Sequence, residues 1–298
     1  MTLARRALGV SRIGHTGTLD PMATGVLPLV IGRATRLAQF LTASDKTYEA
    51  TVAFGRTTDT LDASGTVVTT CDRRPTRDQL ALAVETFRGT FEQTPPVFSA
   101  KNIDGERSYV LARRAARSAE ARSAEAADAR SASGNSAARP KPVSVTVKRL
   151  EVLSFDGDSA RLEMQVTAGF YVRSLAHDLG AALECGAVLA ALRRTQSGEF
   201  GLDRAVPLAD VLQSPRESLA ERLIPFRGLL PELPSVTLRS ATQVERLKNG
   251  VEMGPSDLVA PLATLPPIVR LLGPDGDLVG LAKPSKNLGH LHGWVVLG

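Results

Sequence analysis

Apolar and polar positions alternate most clearly over residues 48–54, where Tyr48, Ala50, Val52 and Phe54 share one face and Glu49, Thr51 and Ala53 the other. That period of two predicts a strand with one buried face, with Tyr48 at its open end. Val143, Val145 and Val147 alternate in the same way, as do residues 161–167, and residues 151–155 lie between them. Asp156-Gly157-Asp158 predicts a hairpin turn inside this set. A helical period is carried by Leu37, Phe40 and Leu41 within residues 33–41. It recurs at Leu80, Ala83, Val84 and Phe87, behind a Thr76 cap and ahead of Gly89. A third helix is marked by Val172, Leu175, Ala176, Leu179 and Leu183. The first thirteen residues, with Arg5, Arg6 and Arg12, suit a short basic helix end, and residues 205–232 read as proline-punctuated helix and linker. From Leu233 the pattern shifts: Ser240 caps a helix closed by Gly250, and short strands follow at 269–272, 278–282 and 294–297. The chain is therefore expected to be α+β, with a large domain over 1–232 and a small β module over 233–298. Residues 113–141 are Ala, Ser, Arg, Glu and little else, with no large apolar side chain, so they cannot offset their chain entropy by burial and are expected to be a mobile or loosely helical insertion.

Composition narrows the classes. A length of 298 residues with 43% hydrophobic content supports a real core. The net charge of +5 suits a polyanionic partner, although mild basicity is common among soluble proteins. Cys71 and Cys185 are too few and too far apart for a disulfide framework or a zinc site. His290 and His292 alternate on a predicted strand without a third ligand, which reads as surface histidine rather than metal site. No apolar run approaches the roughly 18 residues that cross a bilayer, and no secretory signal pattern opens the chain. The expectation is a soluble, cytoplasmic protein without a metal site.

The candidate chemistry centres on Gly14-His15-Thr16-Gly17-Thr18-Leu19-Asp20-Pro21 and the run to Pro28. Glycines permit a tight turn, Pro21 stiffens the backbone after Asp20, and the apolar run Val26–Ile31 anchors the loop in a core. A carboxylate held this way suits a nucleophile positioned before it reacts; the plainer alternative is an Asx turn. Asp59 and Asp62 form a second acidic pair, read as turn and cap residues because no further oxygen ligands follow at calcium-loop spacing. Residues 93–105 make an extended, proline-stiffened loop. In the run 168–180 a Gly turn precedes a helix whose buried stripe leaves Arg173 on its first turn, able to deliver a guanidinium into a site.

These stretches together resemble the bacterial tRNA pseudouridine-55 synthases, the TruB family. The first matches the pattern Gly-His-x-Gly-x-Leu-Asp-Pro-x-Ala-x-Gly-x-Leu at every fixed position, which is far more specific than a lone glycine motif. Gly169-Phe170-Tyr171-Val172-Arg173 is similar to the family's Gly-Thr-Tyr-Ile-Arg, and residues 192–200 resemble its Leu-Arg-Arg-Thr…Gly-x-Phe signature. Departures are Phe170 for Thr, Val172 for Ile and Asn102 for Lys; the family's N-terminal Lys-Pro and Thr-Ser pairs have no counterpart in residues 1–13.

The resemblance implies the pseudouridine-synthase fold, a mixed or antiparallel sheet with flanking helices, followed by a PUA-like β module that binds RNA. It implies isomerisation of uridine 55 in the TΨC loop of tRNA, by a monomer with no obligate protein partner and no cofactor. Asp20 is implied as the catalytic aspartate, paired with Arg173, with Tyr48 stacking on the target uracil. Tyr171 and Leu192 are implied to line the pocket and His15 to meet the RNA where the extruded base leaves space. Thr18, Arg193 and Arg194 are implied on the RNA backbone. The pairing has a physical purpose, because burial penalises the charged form of an acid and an always-charged, two-pronged guanidinium restores it. The rival readings are a non-catalytic RNA-folding helper, a guide-RNA-directed synthase and a phosphate-loop enzyme; the last lacks the Gly-Lys-Ser/Thr ending.

Overall fold

In a computed structural model the described residues are 1–96, 102–103, 106–107 and 141–297, so the expectations for most of the loop at 93–105 and for nearly all of the insertion at 113–141 lie outside them. Along the chain come α1 (Thr2–Leu8), β1 (Ile13–His15), β2 (Thr24–Gly25), β3 (Leu29–Ile31) and α2 (Ala38–Thr42). Then follow β4 (Lys46–Phe54), β5 (Arg56–Thr58), β6 (Val67–Thr70), α3 (Arg77–Glu85) and β7 (Gly89–Gln93). After the short strands β8 (Asn102–Ile103) and β9 (Glu106–Arg107) come β10 (Val143–Phe155), β11 (Ser159–Val166), α4 (Val172–Ala182) and β12 (Ala187–Ser197). The remainder comprises β13 (Phe200–Gly201), α5 (Leu208–Gln213), α6 (Arg216–Glu221), β14 (Ser235–Thr237), α7 (Ala241–Lys248), β15 (Val269–Leu272), β16 (Leu278–Pro284) and β17 (Leu291–Val296). The α+β class is as expected, and no helix of the described residues is long and apolar enough to cross a membrane.

The chain packs into two compact units that are not consecutive stretches. One is Thr18–Val26 with Asp45–Ser197; the other is Met1–Gly17, Leu27–Ser44 and Gly198–Gly298. This grouping differs from the division at 232/233 expected from composition, because residues 1–17 and 27–44 group with the C-terminal part.

The first unit is built on strands in the order β12-β4-β11-β10-β7, each pair antiparallel, with β2 joining β12 in parallel. The predicted alternation in β4 is observed: Ala50, Val52 and Phe54 are buried, and Glu49, Thr51 and Ala53 are only partly so. Ala50 lies opposite Leu162 of β11 and Leu192 of β12, so one core face runs across three strands. The segments 143–147 and 151–155 are a single long strand, with register shifts against β11 between Val147 and Arg149 and between Val152 and Ser154. Such irregularities bend and twist a long strand without ending it. Helix α4 packs Val172, Leu175, Ala176 and Leu179 into this core, and α3 adds Leu80 and Val84. Thr76 caps α3 through a complete capping box with Gln79.

The second unit contains the sheet β14-β15-β16-β17 and the hairpin of β1 with β3. The helix expected over 33–41 begins as a 3-10 helix from Gly32 to Leu37 and becomes α-helical only at Ala38. Val30, Leu37 and Leu41 bury with Leu281, Val295 and Leu297, and Arg33 donates to the Leu297 carbonyl at 2.9 Å, which ties the early segment to the last strand. Ser240 caps α7 by accepting from the Thr242 amide, as its position predicted.

Candidate active site

The loop that carries Asp20 is fixed at its far end. The Ala23 amide donates to the Asp20 carbonyl at 2.9 Å, closing a turn whose second residue is Pro21, where the ring sets φ in advance. The chain then enters β2, with Thr24 and Gly25 in parallel register with Arg193 and Arg194. Gly25 has φ +95, and a Cβ on it would lie 2.1 Å from the Arg194 carbonyl oxygen. Only glycine allows that approach.

Arg173 reaches the loop from the first turn of α4. Its Nε donates to Asp20 Oδ2 at 3.0 Å and its Nη2 to Asp20 Oδ1 at 2.8 Å, a two-pronged bond. Nη1 donates to the Thr60 carbonyl at 3.2 Å and lies 3.8 Å from Asp62 Oδ2. The Arg173 side chain is 8% exposed and that of Asp20 29%, so the pair joins a buried cation to a partly open acid. Asp62 is itself buried. It closes its own turn, as expected: Oδ1 accepts from Thr60 Oγ1 at 2.9 Å and from the Ser64 amide at 3.0 Å. Its other oxygen facing Arg173 is a role that residue-by-residue reading missed, because a turn aspartate gives no sign of a partner 111 positions along the chain. The loop is held against β12 through Ala63, whose amide donates to the Leu189 carbonyl at 3.0 Å.

Tyr48 is half-buried on β4, opposite Met164 of β11 and Arg194 of β12. Burial pushes its phenol above the usual range, while the Arg194 charge and a hydrogen bond from Arg194 oppose that shift; the Asp20 charge adds to it. Lys46, two residues earlier, is also buried, and burial followed by the Arg194 charge lowers its ammonium to about 8, against a smaller upward pull from Asp45. Leu192 is buried in the core cluster against which Tyr48 packs. Tyr171 immediately precedes α4; its amide donates to Gln93 Oε1 at 2.8 Å, and Gln93 Nε2 donates back to its carbonyl at 3.0 Å.

Arg193 and Arg194 separate. Arg193 is exposed, as a backbone-binding arginine should be. Arg194 is 1% exposed, and its Nε donates to the Val26 carbonyl at 2.7 Å, so it does not face a phosphate; successive residues of a strand point to opposite sides. Thr18 is exposed. His15 belongs to the other compact unit, on β1, with Nδ1 buried and without a hydrogen-bond partner among the described residues. The structure thus brings Asp20, Arg173, Tyr48 and Leu192 together in one unit and adds Asp62 and Arg194 to them.

Residues 5–172 match the model of the TruB family pseudouridylate synthase N-terminal domain, and residues 173–230 that of the tRNA pseudouridylate synthase B C-terminal domain. The chain belongs to the TruB family. Among relatives of this TruB chain, a tRNA pseudouridine synthase B from Solibacter usitatus is 41% identical over 94% of this chain and 88% of its own length. One from Aromatoleum aromaticum is 39% identical over 95% of this chain and 83% of its own length. Among solved structures, a chain of the archaeal box H/ACA sRNP Nop10–Cbf5 complex superposes with a TM-score of 0.69 at 21% identity. It covers 100% of the TruB chain and 80% of its own, and at that identity the likeness establishes the pseudouridine-synthase fold alone.

Proposed function

We propose that this chain isomerises uridine 55 in the TΨC loop of tRNA to pseudouridine, with Asp20 as the catalytic residue. The observation that carries the reading is the two-pronged Arg173–Asp20 bond on the motif loop, with Tyr48 close enough to Asp20 to feel its charge. The relatives' names, tRNA pseudouridine synthase B, supply the substrate class. In the reaction the N1–C1′ bond of uridine breaks and a C5–C1′ bond forms; C5 loses a proton and N1 gains one. Nothing is oxidised and no group is donated, so positioning and charge are what the protein must provide.

Each side chain then has a task. Asp20 attacks C1′ or assists departure of the base, and Arg173 keeps it aimed through its two hydrogen bonds. The target base leaves the stack, at a few kcal/mol, and lies against the Tyr48 ring with Leu192 and Tyr171 at the pocket wall. His15 occupies the gap left in the RNA, while Thr18 and Arg193 meet the backbone. The test is incubation of the purified chain with unmodified tRNA, followed by chemical mapping of pseudouridine. The wild-type chain should convert position 55, and Asp20→Asn should abolish conversion while tRNA binding survives. RNA binding without conversion by the wild-type chain would make it an RNA-folding helper instead.

A further inference from the structure

Arg194 is a buried cation with no phosphate to serve. Isolated buried charge is costly, so such a group persists where its donors are engaged. Two of its engagements lead to the elements that carry the proposed chemistry. The Nε donates to the Val26 carbonyl, and the Arg194 carbonyl in turn accepts from the Val26 amide at 2.8 Å. This clamps the exit of the Asp20 loop with both backbone and side chain. The guanidinium also lies across the β12–β4 pair from Tyr48, where its charge opposes the upward push that burial gives the phenol. The register fixes why one residue does both: Arg194 lies opposite Tyr48 across the antiparallel β12–β4 pair and beside Gly25 across the parallel β12–β2 pair. Gly25 supplies the close approach, since any Cβ there would collide with the Arg194 carbonyl.

We propose that Arg194 is a positioning residue for Tyr48: held by the backbone behind the Asp20 loop, its guanidinium faces the phenol from across the β12–β4 pair so that ring and acid keep one geometry. This rests on the reading of Asp20 and Tyr48 given above. A rigid fork can bond the Val26 carbonyl and still present its charge to the phenol, and a lysine, with a compact charge on a flexible stem, does only one of these well.

The test is a double-mutant cycle on the full chain with Arg194→Met, Arg194→Lys, Tyr48→Phe and the Tyr48→Phe/Arg194→Met pair. It measures the single-turnover rate of pseudouridine formation on unmodified tRNA, tRNA affinity by filter binding, and folding by circular dichroism. Arg194→Met should slow the reaction by roughly 10- to 100-fold with affinity within about threefold of wild type, and Arg194→Lys should recover part of the rate. In the Tyr48→Phe background Arg194→Met should cost less than about threefold more. An equal loss in both backgrounds, or a loss of affinity matching the loss of rate, overturns the proposal. So does a Tyr48→Phe variant as fast as wild type. If Arg194→Met does not fold, Arg194→Lys carries the same cycle. A wild-type chain that forms no pseudouridine refutes the function reading itself; an active chain without coupling refutes only the link through Arg194.

Discussion

Substitution of Arg173 tests the geometry of the site most directly. The side chain donates twice to Asp20 and once to the Thr60 carbonyl, and stands 3.8 Å from a second carboxylate on Asp62. Arg173→Met removes this cation from both the buried Asp62 and the partly open Asp20. Breaking a buried ion pair by removing one partner costs about 3–5 kcal/mol. Water reaches Asp20, whose side chain is 29% exposed, so the lower end of that range, about 3 kcal/mol of stability, is expected. Arg173→Lys keeps the charge and loses the fork. One ammonium cannot bond both Asp20 oxygens and Thr60, so at least one charge-assisted bond of about 1.5–3 kcal/mol goes. If that bond aims the carboxylate in the transition state, the single-turnover rate falls roughly 10- to 100-fold, at about 1.4 kcal/mol per decade. The assay is pseudouridine formation with enzyme in excess, beside urea unfolding and tRNA affinity for each variant. The donors of Arg173 are occupied by protein acceptors, so affinity should stay within about threefold of wild type. An Arg173→Lys chain that folds and reacts within about threefold of wild type would refute the claim that the two-pronged bond orients Asp20.

Two further substitutions probe the frame. Gly25→Ala must move the Arg194 carbonyl from a Cβ contact of 2.1 Å and hold alanine at φ +95, so a loss of about 2–4 kcal/mol in urea unfolding and a slower reaction are expected. Stability within about 0.5 kcal/mol of wild type would show that β2 does not need its register with β12. Lys46 sets a pH dependence. Its ammonium falls from the ordinary value of 10.5 to about 8 in the folded chain, so between those values the unfolded state binds more protons and stability rises with pH. Below about pH 8 the full penalty is present, at most roughly 3 kcal/mol. Lys46→Met should therefore be more stable than wild type at pH 7, by roughly 1–3 kcal/mol, with the gap closing towards pH 10. A gap that does not change with pH in urea titrations would contradict that assignment.

What the chain displayed in advance followed from how local each cause is. The β4 alternation, the Thr76 and Ser240 caps and the Asp156-Gly157-Asp158 turn depend on neighbours a few residues apart, and all are present. Asp20 and Arg173 were legible together only through a family pattern, since no periodicity links positions 153 apart. The compact units were not legible, because residues 27–44 group with the end of the chain through contacts such as Arg33 to Leu297 that local pattern does not encode. The roles of Asp62 and Arg194 were hidden differently. Asp62 performs the turn function that its sequence suggests and uses its second oxygen elsewhere. Arg194 had a usable signal: on a strand it must share a face with Leu192, not with Arg193, and Leu192 is core.

That parity also explains why two adjacent arginines serve opposite purposes. Along β12, Leu192 and Arg194 point inward and Arg193 outward, so a shift of one residue in the pairing with β4 would bury Arg193 and expel both inner side chains. The same shift would move the residue beside Gly25 and break the hydrogen bonds at Val26. Register is specified here by a buried charge as well as by apolar packing. An unpartnered guanidinium in the core costs more than a misplaced leucine, so the penalty for slippage is steep at the point where the Asp20 loop joins the sheet. A site whose acid sits on a loop gains rigidity by ending that loop in a strand whose register cannot drift. The Arg173 fork then has a fixed target, because the carboxylate is held from the sheet side through β2 and from the helix side through α4.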